Sequence, residues 1–436
     1  MAQLQAPEDL SSWLAHIERL HPKSIDMGLD RVHIMIERLK LYPNFRIITV
    51  AGTNGKGSTC AMMSQIYLQA GYQVGCYTSP HLLRYNERVR VGGVEVSDAA
   101  LCEAFSIVDA ARCVEHDVEI PLTYFEMGTL AAIWYFMKIG VDVAVLEVGL
   151  GGRLDAVNAF EPDCSVVTSI DLDHQEFLGE TREEIGYEKA GVYRRDKPAI
   201  CGDNSPPQSL IEYARLVEAD LQCIHRDFNQ QCLNAHWQFL VNGTVKYTLP
   251  LPMLKGSYQL NNASCAIAAV ESLQKVLPVA ESSMIAAMCQ VVLAGRFQIV
   301  SERPRVILDV AHNPHAARAL AQNLEGIKSA TGKTVAVFAM LADKDIGGVV
   351  HAVKDVIDVW YVASVHHARG ASASELYEKI AKIISEAKIQ VFDSASVAIR
   401  QACMDVNEND KIIVFGSFFT VADVMQHLDE SINLHL

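Results

Sequence analysis

The sequence RIITVAGTNGKGST, residues 46–59, decides the fold of this chain of 436 residues. Its first five residues, Arg46–Val50, form a short apolar run that predicts a buried strand. The glycines that follow let the backbone curl so that several N–H groups point inward, and the next helix presents the positive end of its dipole. This order of strand, glycine-rich turn and helix, with a lysine inside the turn, favours a site for nucleotide phosphates over an ordinary turn.

We expect the loop to bind the phosphates of a nucleoside triphosphate, with Lys56 reaching the terminal phosphates and Ser58 or Thr59 a Mg²⁺ ion. The pattern departs from G-x-x-x-x-G-K-[ST], since Gly52 and Gly55 are close together and Gly57 separates the lysine from the hydroxyl. The residues predicted to bind ATP here are Gly52, Thr53, Asn54, Gly55, Lys56, Gly57 and Ser58.

Outward from this loop, apolar runs alternate with helical stretches over most of the chain, which predicts an α/β fold with parallel strands buried on both faces. The predicted strands are 46–50, 141–148, 165–170, 306–310, 334–338, 359–362 and 411–415. Residues 237–249 differ, because Asn242-Gly243 between two β-type runs predicts a hairpin and hence a small antiparallel piece. The length calls for two domains, which we place at 1–297 and 298–436.

Composition excludes several classes of protein. With 37 Lys and Arg against 52 Asp and Glu, the net charge is −15, which disfavours binding to nucleic acid. The 11 cysteines show no C-x-x-C pair and read as reduced thiols. No signal peptide is visible, and no run reaches the roughly 18 to 20 apolar residues of a membrane helix. We expect a cytoplasmic protein without a membrane partner.

Polar residues at strand ends are the next candidates. Glu147 ends the predicted strand 141–148, where a carboxylate beside a phosphate loop could hold Mg²⁺ or could cap the glycine turn 149–152. His174 follows the next strand and, taken alone, reads as an ordinary loop histidine. Lys189, in the last turn of a helix that begins after the capping residue Thr181, reads as a solvated lysine.

A similar arrangement closes a strand of the second domain. Asp309 and His312 precede Asn313 and Pro314, which are an N-cap residue and a first helical residue. Two interpretations are open: a site that meets a nucleotide at the mouth of this sheet, and a polar loop that binds no ligand.

Taken together, these segments resemble the Mur ligase superfamily of ATP-dependent amide ligases, and within it the bifunctional ligases of bacterial folate synthesis. The motifs that carry the resemblance span nearly the whole chain in order: 52–58, 78–82, 122–126, 147–155, 173–174, 188–191, 295–297 and 309–316. The resemblance implies a P-loop ATPase-like N-terminal domain, a smaller Rossmann-like C-terminal domain and a monomer.

The resemblance also implies roles for single residues. Ser79, Glu147 and His174 match magnesium ligands of the family, and Lys189 matches a lysine that the family carbamylates. It thereby replaces the local interpretations of His174 and Lys189, and it implies two Mg²⁺ ions. Asn262, Arg296, Asp309 and His312 match residues that contact ATP. The catalytic set is then Lys56, Lys189 and His174.

A pterin site is implied as well, formed by Ile25, Asp26, Met27, Gly28, Leu122, Thr123, Tyr124, Phe125, Arg153 and Asp155. One position departs from the family pattern Gly-x-His-Gln-x-x-Asn-Ala, because Tyr258 stands where the histidine is usual. Tyr258 and Gln259 therefore receive no role.

The implied reaction is ATP-dependent ligation of L-glutamate to dihydropteroate and to the glutamate tail of reduced folates, through an acyl phosphate. The main alternative is a Mur-type ligase that adds an amino acid to a UDP-sugar peptide, which residues 25–31 and 122–125 disfavour. A nucleotide-dependent switch protein is a second alternative, although no Asn-Lys-x-Asp motif is present.

Overall fold

The structure is a computed structural model that describes residues 7–433 apart from 24, 114–118, 257 and 328–331. The chain divides into two compact units. The first contains residues 1–252 and 261–291, and the second contains residues 253–260 and 292–436. The limits 1–297 and 298–436 stay a prediction about domain boundaries.

The first unit is built on a large sheet of short strands, of which β1, β2, β5, β6 and β7 are almost fully buried, as expected for a sheet covered on both faces. Its strands are β1 (Arg46–Ala51), β2 (Val74–Tyr77), β3 (Val89–Val91), β4 (Val94–Glu95), β5 (Val143–Glu147), β6 (Cys164–Val167), β7 (Pro198–Cys201) and β8 (Asp220–Cys223). Their order is β4-β3-β2-β5-β1-β6-β7-β8. In this order, each pair of neighbours from β2 through β8 is parallel. Strand β3 pairs antiparallel with both β2 and β4.

A separate sheet of three strands confirms the predicted hairpin. It consists of β9 (Phe228–Cys232), β10 (His236–Val241) and β11 (Thr244–Pro250), and β10 pairs antiparallel with both others. Asn242 and Gly243 have φ of 48° and 77°, the positive values that a type I′ turn requires at both central positions.

Ten α-helices lie within the described residues of the first unit, the last but one of which begins in the segment 253–260 of the second unit. They are α1 (Leu10–Ile17), α2 (Asp30–Leu39), α3 (Lys56–Gln69), α4 (Asp98–Arg112), α5 (Tyr124–Ile139), α6 (Gln175–Leu178), α7 (Arg182–Ala190), α8 (Gln208–Leu216), α9 (Tyr258–Ser272) and α10 (Glu281–Gln290). About half of the residues of α3 and of α5 are buried.

The second unit has its own sheet and hydrophobic core. Its strands are β12 (Gln298–Glu302), β13 (Arg305–Leu308), β14 (Thr334–Phe338), β15 (Val359–Ala363), β16 (Lys388–Phe392) and β17 (Lys411–Phe415). The order is β12-β13-β17-β14-β15-β16, parallel except for β12. The helices are α11 (Pro314–Gly326), α12 (Ile346–Val353), α13 (Ala373–Ile383), α14 (Ala395–Asp405) and α15 (Phe418–Asn433).

These sheets confirm the predicted α/β class, and every strand predicted from an apolar run is present. Two further observations concern the cysteines and the helices. Each of the 11 cysteines is a free thiol. Among the described residues, no helix has both the length and the apolar character needed to cross a membrane.

Candidate active site

The glycine-rich loop lies at the topological switch point of the large sheet. Strand β1 pairs with β5 on one side and with β6 on the other, so the loop leaves the sheet between two neighbouring carboxyl ends. In open α/β sheets this position is where ligands bind. The loop, Glu147 at the end of β5 and the segment after β6 are therefore placed at one edge of the sheet.

Two glycines of the loop are required both by their dihedral angles and by their surroundings. Gly52 has φ of 145° and Gly55 has φ of 89°, a region that side chains disfavour. A Cβ on Gly52 would lie 1.9 Å from Oγ1 of Thr168, and a Cβ on Gly55 would lie 2.4 Å from Oδ1 of Asn262. Asn262, predicted to contact ATP, thus packs directly against the loop.

Polar residues after β6 hold the loop from the other side. Thr53 donates its N–H to the carbonyl of Ser169 at 2.7 Å, and its hydroxyl donates to the carbonyl of Asp171 at 3.1 Å. The N–H of Asn54 donates to Oγ of Ser169 at 3.1 Å, and the Thr168 hydroxyl donates to the carbonyl of Asn54 at 2.7 Å. Thr168, Ser169 and Asp171 were not predicted from the sequence, although their position at a strand end was a usable signal.

Lys56 begins helix α3 and folds back over the loop. Its ammonium donates to the carbonyl of Gly52 at 3.0 Å and to that of Thr53 at 3.3 Å. Ser58 lies buried in the first turn of the same helix. The loop therefore carries a cation and the N-terminal N–H groups of a helix at one end, the arrangement that binds phosphate.

Glu147 is buried at the carboxyl end of β5, and its Oε2 accepts the backbone N–H of Ser79 at 3.1 Å. The structure thus brings together two residues predicted to bind magnesium. Asp155 caps the following glycine turn, because it accepts the N–H groups of Gly149 at 3.0 Å and Leu150 at 2.9 Å. Burial raises the pKa of Asp155 to about 7.

Lys189 corrects the interpretation that its local pattern suggested. The helix begins after Thr181 as predicted and ends at Ala190, but Lys189 is only 4% exposed instead of solvated. Burial lowers its pKa to about 7, the charge of Lys56 lowers it further, and Asp173 and Asp155 oppose the shift. The turn 149–152 packs on this helix end, since a Cβ on Gly152 would lie 2.9 Å from the carbonyl oxygen of Lys189.

His174 lies beyond β6 in the left-handed region, with φ of 52°. Its N–H donates to Oδ1 of Asp173 at 2.9 Å, and its side chain is 33% exposed. The segment that leads to it is fixed by Asp203, which accepts the N–H of Ile170 at 2.7 Å and pairs with Arg182 at 2.8 Å. Arg182 is the first residue of α7, so one carboxylate ties His174's segment to the helix of Lys189.

The predicted pterin residues 25–28 and 122–125 come together at the start of α5. Asp26 pairs with Arg31 at 2.6 Å, and Arg31 pairs with Glu126 at 2.9 Å. Glu126 completes a capping box with Thr123, the N-cap of α5. The loop of Ile25, Asp26, Met27 and Gly28 is thereby tied to the helix that Tyr124 and Phe125 begin, and Leu122 is buried beside them.

The glycine turn 149–152 lies next to this group. A Cβ on Gly149 would lie 2.8 Å from the ring of Phe125, and one on Gly151 would lie 3.5 Å from Cε of Met27. Arg153, by contrast, pairs with Glu188 at 2.8 Å and its guanidinium lies 5.7 Å from the ring centroid of Tyr187. Asp155 acts here as the cap of the turn described above.

The second unit places its predicted residues around the end of β13. Asp309 is buried and accepts the N–H groups of Phe297 at 2.9 Å and Ala311 at 2.8 Å. Burial raises the pKa of Asp309 to about 6, while the charge of Arg296 lowers it. The guanidinium of Arg296 lies 5.2 Å from the ring centroid of Phe418, and the ring of His312 lies 6.1 Å from the same centroid.

Tyr258, which replaces the family's usual histidine, lies near this group. Burial raises its pKa, the charge of Asp309 raises it further, and Arg296 opposes the shift. Asn323 also adjoins it, because a Cβ on Gly256 would lie 2.7 Å from the Tyr258 ring and 2.8 Å from the Asn323 amide. Gln259 is buried. Tyr258 therefore belongs to the Asp309 cluster, a placement that was not predicted from the sequence.

Comparisons with known proteins agree with this geometry. The Mur ligase middle domain matches residues 50–270, and the Mur ligase glutamate ligase domain matches residues 295–418. These matches cover the phosphate loop and the Asp309 cluster. The fold and the site define the chain as a member of the Mur ligase superfamily of ATP-dependent ligases.

The relatives narrow this class. The dihydrofolate synthase/folylpolyglutamate synthase of Escherichia coli is 45% identical over 98% of this chain and 97% of its own length. The structure of E. coli FolC with DHPP and ADP has a TM-score of 0.92 at 43% identity, covering 98% of this chain and 99% of that one. The structure of a bifunctional folylpolyglutamate synthase/dihydrofolate synthase with Mn, AMPPNP and L-glutamate bound has a TM-score of 0.89 at 42% identity. The match covers 98% of this chain and 99% of that one. The chain belongs to the dihydrofolate synthase/folylpolyglutamate synthase family, and it is an ATP-dependent ligase.

Proposed function

We propose that this protein ligates L-glutamate to dihydropteroate, giving dihydrofolate, and also to the glutamate tail of reduced folates. The observation that carries the proposal is the shared sheet edge: the phosphate loop with Lys56, the Ser79–Glu147 contact and the buried Lys189 all belong to it. The residues proposed to bind the pterin, 25–28 and 122–125, lie at the start of α5. They adjoin this edge through the glycine turn 149–152.

A carboxylate is a poor electrophile, and ATP supplies the activation. The substrate carboxylate attacks the γ-phosphorus, which releases ADP and leaves an acyl phosphate. The amine of L-glutamate then attacks the acyl carbon, phosphate leaves, and the amide forms with loss of a proton. Lys56 and the N–H groups of the loop stabilise the charge on the phosphoryl group during the first step.

The donor set fits magnesium. Glu147, Ser58, Ser79 and His174 offer oxygen atoms and one nitrogen, and hard oxygen ligands are what Mg²⁺ prefers. The relative described above with Mn bound supports a divalent metal, and we propose two Mg²⁺ ions here. When bound, the metal neutralises phosphate charge and polarises the P–O bonds.

Lys189 is proposed to complete this set as N6-carboxylysine. A neutral amine adds CO₂ and loses a proton, which turns a cation into a carboxylate-like anion. The buried position of Lys189 beside Lys56 favours the neutral amine, since its pKa is lowered to about 7. A bare ammonium would instead repel the metal.

The ATP-binding set is proposed to include Asn262, Arg296, Asp309 and His312 in addition to the loop. Asn262 is supported by its contact distance to Gly55, and Arg296 by the aromatic surface that it shares with His312 on Phe418. We further propose a monomer that acts in the cytoplasm, consistent with free cysteines throughout.

The proposal is tested by the substrate dependence of ADP formation. We expect ADP release from MgATP only when a pteroate or folate carboxylate and L-glutamate are both present. ADP formation without either substrate would instead favour a nucleotide switch, and activity with UDP-sugar peptides alone would favour the Mur-type alternative.

A further inference from the structure

Arg88 lies at the same sheet edge but belongs to none of the groups above. It ends the 3₁₀ turn Tyr85–Arg88, just before β3. Its carbonyl accepts the N–H of Thr78 at 2.9 Å, and the next residue, Ser79, donates to Glu147. The backbone of Arg88 is therefore fixed one residue away from the Ser79–Glu147 contact.

The side chain of Arg88 is fixed as well. Its guanidinium carbon lies 5.3 Å from the ring centroid of Tyr85 and 5.4 Å from that of Tyr124, which are cation–π distances. Its Nε donates to Nδ1 of His81 at 2.8 Å. Tyr124 begins α5 and is one of the residues proposed to bind the pterin. The guanidinium therefore lies between the segment 79–81 and these pterin-site residues.

The charge of Arg88 is not balanced, unlike the charges of neighbouring arginines. Arg31 pairs with two carboxylates, Arg84 pairs with Asp98, and Arg90 pairs with Glu95. Within the part of the chain that the structure describes, no carboxylate lies within 4.0 Å of Arg88 and its two terminal nitrogens make no hydrogen bond.

We propose that Nη1 and Nη2 of Arg88 bind the carboxylate of the pteroate substrate, the group that becomes phosphorylated. The inference rests on the proposed function and adds a residue to it. A planar guanidinium held by two rings and one hydrogen bond is preorganised for bidentate binding of a carboxylate. It also offsets the repulsion between this carboxylate and the triphosphate that the carboxylate must approach.

The test compares two probes on three proteins. Dissociation constants of dihydropteroate and of its carboxamide, in which an uncharged amide replaces the carboxylate, are measured for wild type, Arg88→Gln and Arg90→Gln. Arg90 lies two residues further on β3 and serves as the control. We expect wild type and R90Q to prefer dihydropteroate by about tenfold or more, as charge-assisted hydrogen bonds suggest, and R88Q to lose that preference.

The outcomes separate this inference from the proposed function. An unchanged preference in R88Q overturns the role of Arg88 while leaving the ligase proposal intact, whereas failure of wild type to bind dihydropteroate overturns both. If R88Q does not fold, Arg88→Lys is measured instead. That variant keeps the charge but loses the bidentate geometry, so the preference should fall below the wild-type value, and a wild-type preference in R88K contradicts the inference.

Discussion

The side-chain oxygen of Asn262 lies 2.4 Å from the position that a Cβ on Gly55 would occupy. Asn262 is in α9, and Gly55 is the N-cap of α3. The two residues are far apart in the sequence, yet the Asn262 side chain packs directly against the phosphate loop.

Gly55→Ala is therefore expected to abolish ATP turnover, since the new methyl group displaces Asn262 or opens the loop. Gly71→Ala is the matched control, because Gly71 has nearly the same φ, 90° against 89°, but nothing within 4 Å of its Cβ position. Both variants carry a strain of about 1–2 kcal/mol from the positive φ. Steady-state kinetics and thermal unfolding separate the two effects, and equal losses of turnover in the two variants would contradict the role of the contact.

Lys56→Gln tests the link between the loop and Lys189. We expect turnover to fall by about a hundredfold or more, since a charge that stabilises the transferring phosphoryl group is lost. The same change removes a cation that lowers the pKa of Lys189, so that pKa should rise. Titration of the Lys189 amine by its rate of reaction with an amine reagent checks this. An unchanged pKa would show that Lys56 does not act on Lys189.

Lys189→Met should abolish turnover without loss of folding stability at low pH. The buried amine has a pKa of about 7 in the folded protein against 10.5 for the ordinary side chain. The unfolded chain thus binds more protons between these values, and wild-type stability rises with pH across this window. The stability of K189M relative to wild type should be greatest below pH 7 and decline towards pH 10. Urea unfolding at pH 6 and 9 measures this, and a variant that is active or equally destabilised at both pH values would contradict the account.

Glu147→Gln tests the metal site. We expect the concentration of Mg²⁺ that gives half-maximal activity to rise about tenfold or more, because a buried anionic ligand is lost. Glu103→Gln is the control, since Glu103 pairs with Lys138 on the surface and is 49% exposed. In wild type, chelation should stop turnover and added Mg²⁺ or Mn²⁺ should restore it. A normal Mg²⁺ requirement in E147Q would remove Glu147 from the ligand set.

Much of the fold was predictable, because it depends on local patterns. Apolar runs located the strands, Asn242-Gly243 located the hairpin, and Thr181 and Asn313 located the starts of α7 and α11. These features need only a few neighbouring residues, and tertiary packing did not override them.

The site was predictable only where a strand end or a motif marked it. The local pattern predicted a solvated Lys189, because a lysine in a last helical turn is usually solvated, whereas tertiary packing, to which the turn 149–152 contributes, buries it. Thr168 and Ser169 were missed because their hydrogen bonds to the loop run between β6 and β1, which are distant in sequence. The surroundings of Arg88 were not predictable either, since Tyr124, one of its two rings, comes from a distant part of the chain.

The most direct test of the central claim is product analysis by mass. The purified protein is incubated with MgATP and L-glutamate, together with either dihydropteroate or tetrahydrofolate. We expect both to gain one glutamate residue, with one ADP formed for each ligation. Addition to tetrahydrofolate alone would contradict the pterin assignment of residues 25–28 and 122–125, and absence of both ADP and ligation would contradict the proposed function itself.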